Sequence, residues 1–247
     1  MQRFTLSEKL AVRDEMLLLN DKVWPEFMLH WECKEWFHLF STFSSFQVVL
    51  MEEEELIAFG HTIPFYWEGS IEHIPDNLNA LIGMAAEARK NSMKPNVLLA
   101  LAVCVSPDHN GRGLSSEVLK LMKEIGGKHE ISTLIVPVRP TLKAKYPLIP
   151  ISDYSKWTRE DGLPFDPWLR IHRRLGAEVF KTGDESMVIK GSVNEWEAWT
   201  KMKMYQTGNY IIEGALNPVE IDMEKNTGVY TDPCIWVRYA IDPNNKQ

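Results

Sequence analysis

Asn96-Val97-Leu98-Leu99-Ala100-Leu101-Ala102-Val103-Cys104-Val105-Ser106-Pro107-Asp108-His109-Asn110-Gly111-Arg112-Gly113-Leu114-Ser115-Ser116 decides the reading of this chain. The unbroken apolar run from Val97 to Val105 has the length and composition of a buried strand. Ser106 to Asn110 turns the chain into Gly111-Arg112-Gly113. Beyond it Leu114, Val118, Leu121, Met122 and Ile125 recur at intervals of three and four, which predicts an amphipathic helix closed by Gly126-Gly127. The first amides of such a helix have no intrahelical acceptor and carry partial positive charge. Glycines let an anion approach that backbone closely, so the unit has the makings of a diphosphate cradle built from main chain.

Working outward, Thr133–Val138 is a second apolar strand. Strand, helix and strand in about 40 residues form a right-handed crossover, so the two strands are expected to be parallel. Pro137 lacks a ladder donor, which places a failure of pairing near the end of the second strand and opens a groove there. Upstream, Ser7 caps an expected helix from Glu8 to about Val23 that Pro25 ends, and an aromatic-rich short helix follows around Glu35–Phe43. Phe46–Met51 and Leu56–Trp67 form an expected antiparallel hairpin through the acidic turn Glu52–Glu55, and Leu78–Asn91 is a helix.

Downstream, 139–165 is long, loop-like and rich in Pro and aromatic residues, a stretch more suited to a functional excursion than to disorder. Asp166-Pro167 opens a helix that Gly176 ends. Glu178–Thr182 and Ser186–Ser192 flank Gly183-Asp184 as an expected hairpin. A helix around Asn194–Lys203 and strands near Tyr210–Glu213, Val219–Ile221 and Ile235–Ala240 complete the chain. The fold class is mixed α/β, read as a single domain over 1–247.

Composition bounds the function. A formal charge of −7 argues against a nucleic-acid partner, which needs concentrated Lys and Arg. Cys33, Cys104 and Cys234 form no CxxC pair, and His30-x-x-Cys33-x-x-x-x-His38 is not a zinc spacing, so no metal is expected. The absence of a leader-like apolar stretch and of an apolar run of about 18 residues gives no membrane partner and a cytoplasmic setting as the expectation. No Gly-Lys-Ser/Thr follows the glycines, which sets a nucleotide-binding P-loop aside.

At Val105-x-Pro107-x-x-Asn110-Gly111-Arg112-Gly113-Leu114-Ser115 the chain resembles the acyl-CoA signature of the GCN5-related N-acetyltransferases, V-x-P-x-x-[Q/R]-x-x-G-x-[G/A]. Asn110 stands where Gln or Arg is usual and Ser115 where Gly or Ala is usual. Neither change removes a main-chain donor. The resemblance covers a core of about 46–192. It implies an acyl-CoA N-acyltransferase fold with a central βαβ unit, an aromatic insertion and a β-rich C-terminal extension over about 193–247.

The resemblance implies roles as well. Val103, Cys104 and Val105 would pair with the pantetheine arm of acetyl-CoA, the co-substrate. A strand amide near Val103 or Cys104 would polarise the thioester carbonyl. Main-chain amides of Gly111, Arg112, Gly113, Leu114, Ser115 and Ser116 would hold the pyrophosphate, with the Arg112 side chain a further phosphate ligand. In the family pattern Y-x-x-x-G-F, a Tyr protonates the leaving thiolate. His172-Arg173-Arg174-Leu175-Gly176-Ala177 puts His172 at that position, and an imidazolium would serve as the acid. Tyr146, Tyr154, Trp157 and Trp168 are candidate walls of the acceptor pocket, and His61 and Tyr154 are both candidates for the base. Cys104 reads as a buried small residue in place of a nucleophile. The implied reaction is transfer of an acetyl group to a primary amine, on a small molecule, by direct thioester aminolysis. The alternative is a catalytically inactive acyl-CoA-binding sensor or assembly protein. The oligomeric state is left open, a homodimer included.

Overall fold

The computed structural model describes residues 1–242. One sheet contains nine strands among the described residues: β1 (Gln2–Thr5), β2 (Val48–Glu52), β3 (Glu55–Phe65), β4 (Val97–Val105), β5 (Thr133–Val138), β6 (Glu178–Gly191), β7 (Gly208–Tyr210), β8 (Val219–Asp222) and β9 (Thr227–Ala240). Strands β1 to β5 lie in chain order, and β9 follows β5. Every pairing is antiparallel except that of β4 with β5. The mixed α/β class and the parallel crossover expected from the sequence are present.

The helices are α1 (Arg13–Val23), α2 (Leu78–Lys90), α3 (Leu114–Lys128), α4 (Ile151–Tyr154), α5 (Pro167–Arg174) and α6 (Val193–Thr200). Helices α1 and α3 cover opposite faces of the sheet. Met16 and Leu19 of α1 pack with Phe59 and Cys104. Val118 and Met122 of α3 lie over Gly60, the next residue along β3, where any side chain would strike them. None of the helices among the described residues is long and apolar enough to cross a membrane.

Several elements differ from the sequence reading. The first helix begins at Arg13 and not at Glu8. Two short 3₁₀ turns precede it, and Thr5 with Glu8 forms the capping box in place of Ser7. Leu6 and Val12 are both fully buried. Six residues apart, they would stand about 120° apart on a continuous helix, wider than one narrow stripe, and the break lets both face inward. Helix α3 runs through Gly126 and Gly127 to Lys128, and Glu130 at φ 59 makes the turn beyond it.

The largest correction concerns the C-terminal half. Glu178 to Gly191 is one long strand with an irregularity between Gly183 and Met187, not a hairpin about Gly183-Asp184. Gly183 is opposite Cys234, and its missing side chain leaves room for Asp76 and Trp236. The partner of β6 is β9, reached only after α6, β7 and β8. One edge of β9 pairs with β6 from Gly228 to Arg238, while the other pairs with β8 and then with β5. The stretch after Ser192 is therefore not an appendage. It contains an excursion and then the strand that closes the core.

The aromatic insertion is ordered. Asp166, 1% exposed, accepts from the amides of Trp168 and Leu169 at the start of α5, from the amide of Leu142 and from the Tyr154 hydroxyl. One carboxylate thus ties both ends of the excursion to the helix that follows it.

Candidate acyl-CoA site

The loop after β4 is fixed before it reaches its glycines. The Ser106 amide donates to the Ile57 carbonyl of β3 at 2.9 Å, and Pro107–His109 makes one 3₁₀ turn. Gly111 and Gly113 then take φ of +79° and +76°, a left-handed conformation that favours residues without Cβ. Open space lies beyond both Cα atoms. Among the described residues no acceptor meets the amides of Gly111, Arg112, Gly113, Leu114 or Ser115, whereas the Ser116 amide donates to the Gly113 carbonyl at 3.0 Å. Five consecutive donors at the start of the 15-residue α3 are free. The expected set is shortened by one, because Ser116 already belongs to the helix. No helix-capping side chain fills the cradle either: Gly113 is the cap residue.

The groove beside it comes from the strands. Strand β4 pairs with β5 only at Val97–Thr133, Leu98–Leu134 and Leu99–Ile135. From Ala100 onward β4 pairs with β3 alone, so the edge of Val103, Cys104 and Val105 facing β5 is unpaired. Such an edge accepts an extended amide-bearing chain as an added strand. The strands part before Pro137, earlier than that residue alone suggested. Cys104 is fully buried and burial pushes its thiol up to about 12, consistent with a packing role.

Arg112 does not face the cradle as a free cation. Its guanidinium donates to both carboxylate oxygens of Glu52, at 2.8 and 3.0 Å, and lies 2.5 Å from Nδ1 of His109. His109 in turn meets Glu55 at 3.2 Å. The acidic turn Glu52–Glu55 holds the glycine loop.

His172 is corrected. It is 1% exposed, its Nδ1 lies 2.6 Å from the Tyr239 hydroxyl, and Trp168 packs against the ring at 4.4 Å. Burial pulls its pKa down to about 3, so the side chain is neutral at physiological pH. Its Nε2 is buried with no partner. The imidazolium donor expected at this position is absent.

The four expected pocket-wall residues lie in the insertion and at the start of α5. Tyr146, Tyr154 and Trp157 pack with Phe165 as the core of the insertion, at ring separations from 5.0 to 6.2 Å, while Trp168 sits on His172. Tyr154 is 1% exposed, and burial beside the Asp166 carboxylate raises its pKa, which removes it as a base.

Other rings pack against β3 and β4. Trp24 lies 6.0 Å from the Arg139 guanidinium, which follows β5, and packs on the cluster that contains Cys104 of β4. His61 of β3 is opposite Ala102 of β4 and is ringed by Trp36, Phe40 and Phe59 at 5.5, 5.3 and 4.9 Å. Sequence reading missed Trp24, Trp36 and Phe40. The aromatic density of 24–40 was the available signal, but nothing local shows that this segment folds over β4.

Among the described residues there is no group of three or more His, Cys, Asp or Glu that could hold a metal. The five free amides and the unpaired strand edge fit a nucleotide diphosphate joined to an amide-bearing arm.

No protein-family model matches the chain. A curated arginine N-acetyltransferase, avaD of Aspergillus versicolor, is 27% identical over 250 residues, covering 89% of this chain and 86% of that protein. The loading GNATL domain of CurA from Lyngbya majuscula superposes with a TM-score of 0.64 at 15% identity, covering 97% of each chain. A GphF GNAT-like decarboxylase in complex with isobutyryl-CoA gives 0.60 at 15% identity, covering 98% of this chain and 100% of that one. These two structures show the fold. With its glycine loop and its parted parallel strands, the chain has the acyl-CoA N-acyltransferase fold of these structures and is similar to a curated N-acetyltransferase.

Proposed function

We propose that this chain transfers an acetyl group from acetyl-CoA to a primary amine of a small molecule, acting as one structural unit. The observation that carries the reading is the run of free amides from Gly111 to Ser115 beside the unpaired edge of β4. Acetyl-CoA supplies an acyl group activated as a thioester. The cradle amides bind its diphosphate, and the edge of Val103 to Val105 aligns its arm. An edge amide at Val103 or Cys104 donates to the thioester oxygen as charge collects there. The amine forms the new C–N bond, the C–S bond breaks, and one amine proton is balanced by the proton gained by coenzyme A thiol. Holding both reactants together is the protein's main contribution, since the family's usual acid position is neutral here. The curated relative named as an arginine N-acetyltransferase supports an amine acceptor of low molecular weight.

The test is release of free thiol from acetyl-CoA with a panel of primary amines that includes L-arginine and agmatine. Amine-dependent release supports the proposal. A second reading, an acyl-CoA-binding protein without transfer, is favoured by the sealed, uncharged His172. Tight acetyl-CoA binding with no thiol release from any amine would establish that reading instead.

A further inference from the structure

Gln47 fixes the state of a second buried histidine. Gln47 is fully buried, and its Nε2 donates to the carbonyls of Phe43 at 2.7 Å and Thr62 at 2.9 Å. Both amide protons are therefore committed, and Oε1 can only accept. That oxygen lies 2.9 Å from Nδ1 of His61, so Nδ1 carries the proton of the imidazole. Burial lowers the His61 pKa to about 3 and keeps the ring neutral, which leaves a lone pair on Nε2.

No protein donor among the described residues meets that lone pair. The ring keeps 2% exposure, and its Nε2 is not sealed, in contrast to Nε2 of His172. A buried acceptor with no donor is costly to keep unless something supplies one. Its position suggests what does. His61 is opposite Ala102, three residues beyond the last β4–β5 pair at Leu99 and next to Val103. It lies on the α1 face, with Phe59 and the half-buried Trp36 and Phe40, on the side of the sheet away from α3.

We infer that Nε2 of His61 accepts an N–H of the reacting amine and orients it toward the gap between β4 and β5. Resting on the transferase reading, this assigns His61 as an acceptor-binding residue with its proton locked on the far nitrogen by Gln47. The imidazole stays uncharged throughout: it fixes the direction of the amine lone pair and takes no proton. The aromatic rings around it keep water from competing for the amine N–H.

Two side-chain amides separate the roles of the two nitrogens. Asn at this position mimics Nδ1–H and keeps the bond to Gln47, whereas Gln extends an oxygen toward the place of Nε2. With the best acceptor of the amine panel, His61→Asn is expected to raise the amine KM by about tenfold, the loss of one hydrogen bond. Acetyl-CoA affinity and thermal unfolding should stay near wild type, and His61→Gln should recover part of the KM. Wild-type amine KM and kcat in a folded His61→Asn protein would overturn the assignment.

A second measurement needs no variant. In histidine-labelled wild-type protein loaded with coenzyme A, the 15N signal of His61 Nε2 should move on adding that amine, and an unmoved signal overturns the assignment. If the wild-type protein releases thiol with an amine but the signal stays fixed, this inference alone fails. If no amine elicits release, the transferase reading fails and takes the inference with it.

Discussion

Glu52 holds Arg112 by a two-pronged contact, 2.8 and 3.0 Å, that joins the β2–β3 hairpin tip to the glycine loop. The hydrogen bond from Arg112 lowers the Glu52 pKa, and Glu52 raises that of Arg112. The same guanidinium stands beside the free amides of Gly111 and Gly113. While Glu52 holds it, Arg112 is withheld from any phosphate in the cradle. Glu52→Gln should release it and tighten acetyl-CoA binding by roughly threefold, since a solvent-exposed ion pair exchanges at small net cost. Calorimetric titration at low and high salt checks this, and the gain should shrink with salt. Weaker binding would show instead that the pair holds the loop in its binding shape. The contact itself needs a charged Glu52. It persists above the ordinary carboxylate range and is lost as pH falls through the lowered pKa.

Gly113 adopts a left-handed conformation with open space beyond it. Gly113→Ala should cost about 1–2 kcal/mol of stability from backbone strain alone. Gly113→Trp adds bulk to the cradle, and acetyl-CoA binding should be abolished while the cooperative unfolding transition remains. Circular dichroism and calorimetry on the two variants distinguish strain from blockage.

His172 and His61 are both held uncharged with pKa values near 3 by burial. For each, the folded pKa lies below the unfolded value of about 6.5, so the unfolded chain binds the extra proton. The stabilisation is therefore complete above pH 6.5 and is lost as pH falls from there toward 3. Each histidine contributes a slope of about 1.4 kcal/mol per pH unit in that window. Urea unfolding between pH 7.5 and 4.5 measures it, and His172→Phe should flatten the slope by one proton.

His172→Phe also tests the chemistry. The Tyr239 hydroxyl loses its 2.6 Å partner in a buried setting, which should cost about 1–3 kcal/mol of stability. No turnover effect is expected beyond that caused by the lost stability, because the side chain is neutral and sealed. A large fall in kcat at a temperature where the variant stays folded would return His172 to the mechanism.

Asp166 accepts four hydrogen bonds with 1% exposure. Asp166→Ala leaves four donors without a partner and should destabilise the protein by about 3–5 kcal/mol. Limited proteolysis should then cut first within 139–165, because that excursion loses its tie to α5.

The cradle was legible because all of its determinants are local: nine apolar residues, two glycines and a helix period within 33 residues. The parallel crossover was legible for the same reason. The partner of β6 was not. Gly183-Asp184 has the composition of a turn, but β9, arriving 35 residues after β6 ends, pairs through it, and only that long-range pairing makes Gly183 a strand residue. His172 illustrates a second limit. Its alignment with the family acid depends on chain position, whereas its charge depends on burial against Trp168 and Tyr239, the latter 67 residues away. The packing of the aromatic insertion was equally hidden, since its rings meet one another and the rings around His61 come from 36–40 and from β3.

The most direct measurement is the 15N–1H spectrum of the protein with residues 111–116 assigned, recorded while coenzyme A is added. The amides of Gly111, Arg112, Gly113, Leu114 and Ser115 should move together and saturate at one dissociation constant, with Ser116 moving less because its N–H already meets Gly113. Binding of coenzyme A that leaves those five signals in place, or no binding at all, would contradict the cradle.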